Sequence, residues 1–268
     1  MIMPDRRLTV KDFQRMKTSG KPFAALTAYD ALFARLIDRA GIEMILIGDS
    51  LGNVVQGKST TLPVTLDEMI YHGEIVSRTV SHAFVAVDMP FMSYQVNADE
   101  SVRNAGKIMQ RTGCGAVKVE GGIATAKLIR RLVSIGIPVI GHVGLTPQSV
   151  HVFGGYGLQG RENPDRILDD ARAVEQAGAF AVVLEKIPAP LAQKITGTLS
   201  IPTIGIGAGP DCDGQILVLT DMLGLDPDFN PRFARKYADF ASLAVDAFRR
   251  YADDVRNHAF PSADESFE

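Results

Sequence analysis

A chain of 268 residues, 46% hydrophobic and 22% charged, has ample material for a core and suits one large domain or two ordinary ones. A formal net charge of −3 gives no electrostatic reason to expect nucleic acid or an anionic membrane as partner. No apolar run approaches the roughly 20 residues that span a bilayer, and the opening MIMPDRRLTVKDF lacks the continuous apolar stretch of a secretory signal. The two cysteines, Cys114 and Cys212, form no metal-ligand or disulfide pattern, although one bridge between them stays open. A cytoplasmic protein in a reducing compartment is expected.

In chain order, 9–18 reads as a helix with Thr9 as N-cap and Asp12 in its first turn. FAALTAYD (23–30) is the first strand, followed by MILIGDS from 44, FVAVDMP from 84, AVKVEGG from 116 and PVIGHVG from 138. AVVLEKI from 181, PTIGIGAG from 202 and ILVLTDM from 216 complete the set. Amphipathic helices are predicted between most of them, over 31–40, 66–80, 98–111, 124–134, 164–177 and 190–199, with a last one over 231–255. Glycines just past the helical stretches, Gly41, Gly113, Gly136 and Gly178, announce the next strand. Continuous apolar strands, each returned by a helix, imply parallel pairing with helices covering the sheet. Eight such units favour a (β/α)8 TIM barrel with extra N- and C-terminal helices over an open doubly wound sheet. The seventh unit is the weakest, with little room for a helix between Gly209 and Ile216. The expected division is an N-terminal helical extension over 1–22, a single barrel domain over 23–258 and a flexible tail over 259–268.

The informative residues end the apolar runs: Asp30, Asp49 with Ser50, Asp88, Lys118 with Glu120, His142, Glu185, Gly207 to Gly209 and Asp221. A parallel barrel brings all strand C-termini to one face. One acid at a strand end is commonly a helix cap, but so many on one rim would cost several kcal/mol to bury without a compensating cation or proton. Oxygen ligands without a His/Cys cluster point to a hard cation, Mg²⁺ or Mn²⁺, on which Asp49, Asp88 and Glu120 converge. Lys118 and Glu120 are two residues apart on one strand and share a face, either as a structural pair or as part of the site. His142 reads as a packed histidine or a site residue. If the surroundings of Glu185 are apolar its pKa should rise, which suits a general acid or base; an ion pair with a neighbouring lysine is the alternative. GIGAGP (205–210) has the wrong spacing for a dinucleotide fingerprint. FGGYGLQGRENPDR (153–166) is a mobile lid or a surface Ω-like loop, and 48–65 is a long irregular loop after the second strand.

The blocks TAYDALFARLID, GDSLGNVVQG with TLPVT, DMPFMSY, VKVEGG, GHVGLTPQSV with FGGYGLQGR, VLE, and IPTIGIGAG with DGQILVLTDMLGL resemble the ketopantoate hydroxymethyltransferase family (3-methyl-2-oxobutanoate hydroxymethyltransferase) over 27–225. The resemblance implies a (β/α)8 barrel, a Mg²⁺ ion and a cytoplasmic homodecamer. It implies transfer of a hydroxymethyl group from 5,10-methylenetetrahydrofolate to 3-methyl-2-oxobutanoate through a Mg-stabilised enolate, the committed step towards pantothenate and coenzyme A. By position it implies metal carboxylates at Asp49, Asp88 and Glu120. The 2-oxo acid contacts it implies are Asp49, Ser50, Asp88 and Lys118, with His142 lining the pocket, and its proton acceptor is Glu185. Lys58 stands where forms of the family carry histidine, which leaves a substrate or folate contact by that side chain open. Two other readings compete: a Mg²⁺-dependent lyase or mutase on 2-oxo acids, which would call for a cysteine in a KKCG-like motif absent here, and a catalytically silent barrel serving as a scaffold, which would have eroded its strand-end acids.

Overall fold

The computed structural model describes residues 6–267. Residues 1–5 of the expected N-terminal extension and residue 268 of the tail lie outside the described residues. The chain divides into two compact units, residues 1–218 and 219–268, where the sequence predicts one barrel domain running from 23 to 258.

In the first unit, helix α1 (Val10–Ser19) precedes strand β1 (Phe23–Thr27) and α2 (Ala31–Arg39). Then come β2 (Met44–Ile47), α3 (Leu51–Val54), α4 (Leu66–Thr79), β3 (Phe84–Asp88), α5 (Ala98–Thr112) and β4 (Ala116–Glu120). α6 (Ala126–Ser134), β5 (Val139–Gly144), α7 (Val150–Phe153), α8 (Pro164–Gln176) and β6 (Ala181–Glu185) follow. α9 (Ala189–Thr198), β7 (Thr203–Ile206) and β8 (Gly214–Leu217) complete it. All eight strands pair in parallel in sequence order, and β8 pairs with β1, which closes the barrel. The predicted (β/α)8 architecture therefore holds, and the weak seventh unit has no helix between β7 and β8.

The helices form where the apolar spacing says they should. In α5 the buried residues Ser101, Ala105, Ile108 and Thr112 recur at intervals of four, three and four, the stripe of a helix laid on a sheet. α1 starts at a capping box in which Thr9 and Asp12 satisfy each other's backbone N–H. Its Phe13 is fully buried, with its ring edge-on to Phe23 and Phe84 at centroid distances of 5.0 and 5.4 Å and tilted against Phe180 at 6.4 Å. Those partners stand at or just before the first residues of β1, β3 and β6, so α1 closes the N-terminal end of the barrel.

Inside, the side-chain period of two sorts chemistry by height. Phe84 and Ala86 on β3, Ala116 on β4, Ile140 on β5, and Ala181 and Val183 on β6 belong to the inner core. Continuing by twos along the same faces gives Asp88, Lys118 with Glu120, His142 and Glu185. The interior is thus apolar at the bottom and charged at the C-terminal mouth.

Two segments differ from expectation. The stretch after β2 is not wholly irregular: Leu51 and Gly52 are buried in the short helix α3, and a Cβ on Gly52 would lie 2.7 Å from Val64 Cγ2. In the second unit, α10 (Leu219–Leu223) contains Asp221, and the long helix α11 spans Phe240–Arg256 rather than starting near 231. Asp239 accepts from the Ser242 N–H and sets that start. Cys114 and Cys212 are both free and buried, and no helix among the described residues is long and apolar enough to cross a membrane.

Candidate active site

The parallel register puts the charged residues side by side. Asp88 on β3 is the Cα partner of Lys118 on β4, and Glu120 is the partner of His142 on β5. Lys118 Nζ lies 2.9 Å from Asp88 Oδ1, 3.9 Å from Glu120 Oε1 and 3.3 Å from His142 Nδ1. His142 bridges onward, with Nδ1 3.4 Å from Glu120 Oε1 and Nε2 3.2 Å from Glu185 Oε2. Gly144 makes the last link possible: its φ of +94° and missing Cβ, which would sit 2.3 Å from the Glu185 carbonyl oxygen, let β5 end tight against β6.

Asp49 follows β2 and joins from the side. Its N–H donates to Asp88 Oδ2 at 3.0 Å, and its own Oδ2 accepts from Gln148 Nε2 at 2.9 Å. Ser50 follows, with Oγ 2.8 Å from the hydroxyl of buried Tyr29. Asp49, Asp88, Lys118, Glu120 and His142 are all buried, and Glu185 is the most accessible of the acids, its side chain 16% exposed against 3% for Asp88 and 4% for Glu120.

Burial raises the pKa of Asp49 well above the usual carboxylate range, and the charges of Asp88 and Glu120 push it further the same way. Asp88 is raised by burial too, against the pull of Lys118. Burial works against charge on Lys118, but Asp88, Glu120 and Asp49 outweigh it and raise its pKa, so it stays an ammonium. His142 is pushed up to about 9: burial and Lys118 oppose the charge, and hydrogen bonding to Glu120 and Glu185 overrides them. Burial alone would raise Glu120, yet its contacts with His142 and Lys118 bring it below its usual value.

The mouth therefore holds more buried negative charge than its own cations neutralise comfortably. Among the described residues no group of three or more His, Cys, Asp or Glu side chains stands ready to hold a metal ion, and Lys118 Nζ lies 2.9 Å from Asp88 and 3.9 Å from Glu120. The donors still suit a hard cation. Asp88 Oδ1 and Glu120 Oε1 are buried oxygens without a well-directed hydrogen bond. Mg²⁺ is typically held by one or two carboxylates together with substrate oxygens and water.

Other strand-end residues fall elsewhere. Asp30 caps α2 by accepting from the N–H groups of Leu32 and Phe33, the ordinary role of such an acid. Asp221 belongs to α10, outside the barrel strands. Lys58 donates to the Pro63 carbonyl at 3.3 Å and lies 3.6 Å from Glu68. Glu185 is not in apolar surroundings, since the His142 imidazole faces it. The segment after α7 docks beside it: the Gln159 N–H donates to the Lys186 carbonyl at 2.8 Å, and Lys186 Nζ donates to the Tyr156 carbonyl at 3.1 Å. Burial raises the Tyr156 pKa, with the charges of Asp49, Glu185 and Glu120 adding to it, which sets this ring within the field of the mouth.

Gln148, Tyr94 and Tyr29 were not singled out by sequence reasoning. Gln148 and Tyr94 lie inside two of the family-like blocks, GHVGLTPQSV and DMPFMSY. A neutral amide or phenol carries no spacing signature of its own, so only the fold marks them.

The ketopantoate hydroxymethyltransferase family model matches residues 7–263. A protein of Chlorobaculum tepidum called 3-methyl-2-oxobutanoate hydroxymethyltransferase is 53% identical over 266 residues, covering 97% of this chain and 96% of that one. A protein of the same name from Syntrophotalea carbinolica is 54% identical over 264 residues, covering 98% and 99%. Among solved structures, phosphonopyruvate hydrolase shares the fold at TM-score 0.63 and 16% identity, covering 96% of this chain and 93% of that one. The 2,3-dimethylmalate lyase of the PEP mutase/isocitrate lyase superfamily does so at TM-score 0.60 and 20% identity, covering 97% and 89%. With the family model matched over nearly the whole chain and relatives above 50% identity end to end, this chain belongs to the ketopantoate hydroxymethyltransferase family.

Proposed function

We propose that the protein transfers a hydroxymethyl group from 5,10-methylenetetrahydrofolate to 3-methyl-2-oxobutanoate, giving 2-dehydropantoate and tetrahydrofolate at the head of pantothenate synthesis. The observation that carries this reading is the continuous buried relay Asp88, Lys118, Glu120, His142 and Glu185, which joins a fixed cation to an accessible carboxylate. Full-length relatives bearing the name of this reaction support it.

Asp49, Asp88 and Glu120 are the residues that would hold Mg²⁺, which when bound supplies Lewis acidity to the keto and carboxylate oxygens of the 2-oxo acid. Ser50, steadied by Tyr29, donates to the substrate carboxylate. Glu185 is the general base, because it is the acid that substrate can reach. It takes the C3 proton, and His142, 3.2 Å away, orients it. The Lys118 ammonium faces the negative charge that develops on the substrate keto oxygen and is held there in advance by Asp88. The resulting C3 carbanion equivalent bonds to the methylene carbon as one of its C–N bonds to the folate opens. Water's oxygen replaces the other C–N bond and its proton goes to the released nitrogen, giving the hydroxymethyl product and tetrahydrofolate. A cytoplasmic homodecamer completes the reading, and sedimentation of the purified protein tests that assembly.

The lyase or mutase reading loses support from the cysteines. Cys114 lies two residues before β4 and Cys212 two before β8, at the end of the barrel opposite the acids. The decisive experiment is exchange of the C3 proton of 3-methyl-2-oxobutanoate in D₂O with Mg²⁺ and no folate. Exchange by the wild type, lost in Glu185→Gln and without Mg²⁺, is the expected result. A wild type that retains the proton, or a Glu185→Gln variant that exchanges at the wild-type rate, overturns the assignment.

A further inference from the structure

Gln148 enters none of the steps above, yet its amide is buried at the centre of the mouth. It stands in the 3-10 turn Pro147–Ser149 that follows β5. Nε2 donates to Asp49 Oδ2 at 2.9 Å and to the Met89 carbonyl at 3.0 Å. Oε1 accepts from the Tyr94 hydroxyl at 2.7 Å and from Gln95 Nε2 at 3.1 Å. The backbone N–H of the same residue donates to Glu120 Oε2 at 2.9 Å.

The amide has one orientation. A backbone carbonyl only accepts, so the nitrogen must face Met89, and Asp49 Oδ2 lies on the same side. Tyr94 accepts the Glu120 N–H at 3.1 Å and gives its own proton to Gln148 Oε1. Both amide hydrogens and both acceptor sites of the glutamine are then used, which freezes a long, flexible side chain. Asp49 follows β2, Met89, Tyr94 and Gln95 follow β3, Glu120 ends β4 and Gln148 itself follows β5, so one residue ties together the ends of four adjacent strands. Glu120, gripped through Oε2, turns its buried Oε1 towards His142 Nδ1 at 3.4 Å and Lys118 Nζ at 3.9 Å.

We propose that Gln148 is a positioning residue of the active site: its side chain aims the Asp49 carboxylate, its backbone N–H aims Glu120, and Tyr94 locks the amide. The proposal rests on the reading of the mouth as a Mg²⁺ and 2-oxo acid site. A purely structural tie between loops would alter stability alone, whereas an aiming role alters metal affinity and turnover.

The test uses Gln148→Met, which keeps the length and removes the hydrogen bonds, and Tyr94→Phe, which keeps the ring. Mn²⁺ affinity is read by electron paramagnetic resonance on the substrate-free protein, beside kcat and KM. Gln148→Met is expected to weaken Mn²⁺ binding and lower kcat by about 10- to 100-fold each, as loss of a partner behind metal ligands does. Tyr94→Phe is expected to move both the same way by about 3- to 10-fold, since the amide loses one of its four neutral or charged partners. A folded Gln148→Met with both quantities within about two-fold of wild type overturns the proposal. If that variant does not fold, an unchanged Tyr94→Phe overturns it equally. A wild type that neither binds Mn²⁺ nor exchanges the C3 proton sinks the functional reading and this inference with it; an active wild type with unchanged variants sinks the inference alone.

Discussion

The two ends of the barrel solve opposite problems with the same strands. At the N-terminal end, α1 drops Phe13 among Phe23, Phe84 and Phe180, and the contact is dry and apolar. At the C-terminal end the same strands present Asp88, Lys118, Glu120, His142 and Glu185, charges that burial penalises and that persist because they hold one another. One end contributes stability, and the other gives some of it up to hold buried charges together. The general lesson is that a two-residue period lets a single strand serve both ends, since moving up by twos keeps the face and changes only the depth.

The comparison breaks if a mouth substitution acts mainly on stability or a floor substitution mainly on turnover. The largest effect on chemistry is expected from Lys118→Met, which removes the fixed cation: kcat should fall about 10²- to 10³-fold, measured at saturating substrate. Phe13→Ala should instead cost about 3–5 kcal/mol of unfolding free energy in denaturant titrations, with kcat of the folded fraction near wild type. Asp38→Ala should cost about 1–3 kcal/mol, because the N–H groups of Ser81, His82 and Ala83 lose their carboxylate acceptor. The smallest effect belongs to Lys58→Ala, whose half-exposed pair with Glu68 should be worth less than about 1 kcal/mol.

Aspartates in the two settings also respond to pH with opposite sign. Asp38 has a lowered pKa: burial raises it, and the hydrogen bonds from Ala83, Ser81 and His82 outweigh that. Its contribution is present above the unfolded value of about 3.9 and is lost as pH falls through the folded pKa. Asp49 is raised, so the folded state binds its proton more tightly than the unfolded chain does. Its ionisation therefore erodes stability as pH climbs from about 3.9 through the folded pKa. Thermal melts of protein stripped of divalent cations should show the Asp49→Asn variant gaining on wild type as pH rises. Asp38→Asn should lose most above pH ~4 and converge with wild type below it. Parallel curves for both variants would remove the distinction.

The sequence alone determined the repeat, because apolar runs of strand length alternating with helical stripes admit few packings, and it determined which acids stand at strand ends. It could not separate Asp30, a helix cap, from Asp88, a buried partner of Lys118, since each simply ends or follows an apolar run. That distinction is tertiary: Asp88 has Lys118 as its register partner on the next strand, while Asp30 turns back onto its own helix. Likewise the short helix α3 and the buried place of Gln148 were decided only by folding, because a buried amide takes its partners from the chain segments brought around it. Local pattern fixes which way a side chain faces; only the closed barrel fixes what it meets.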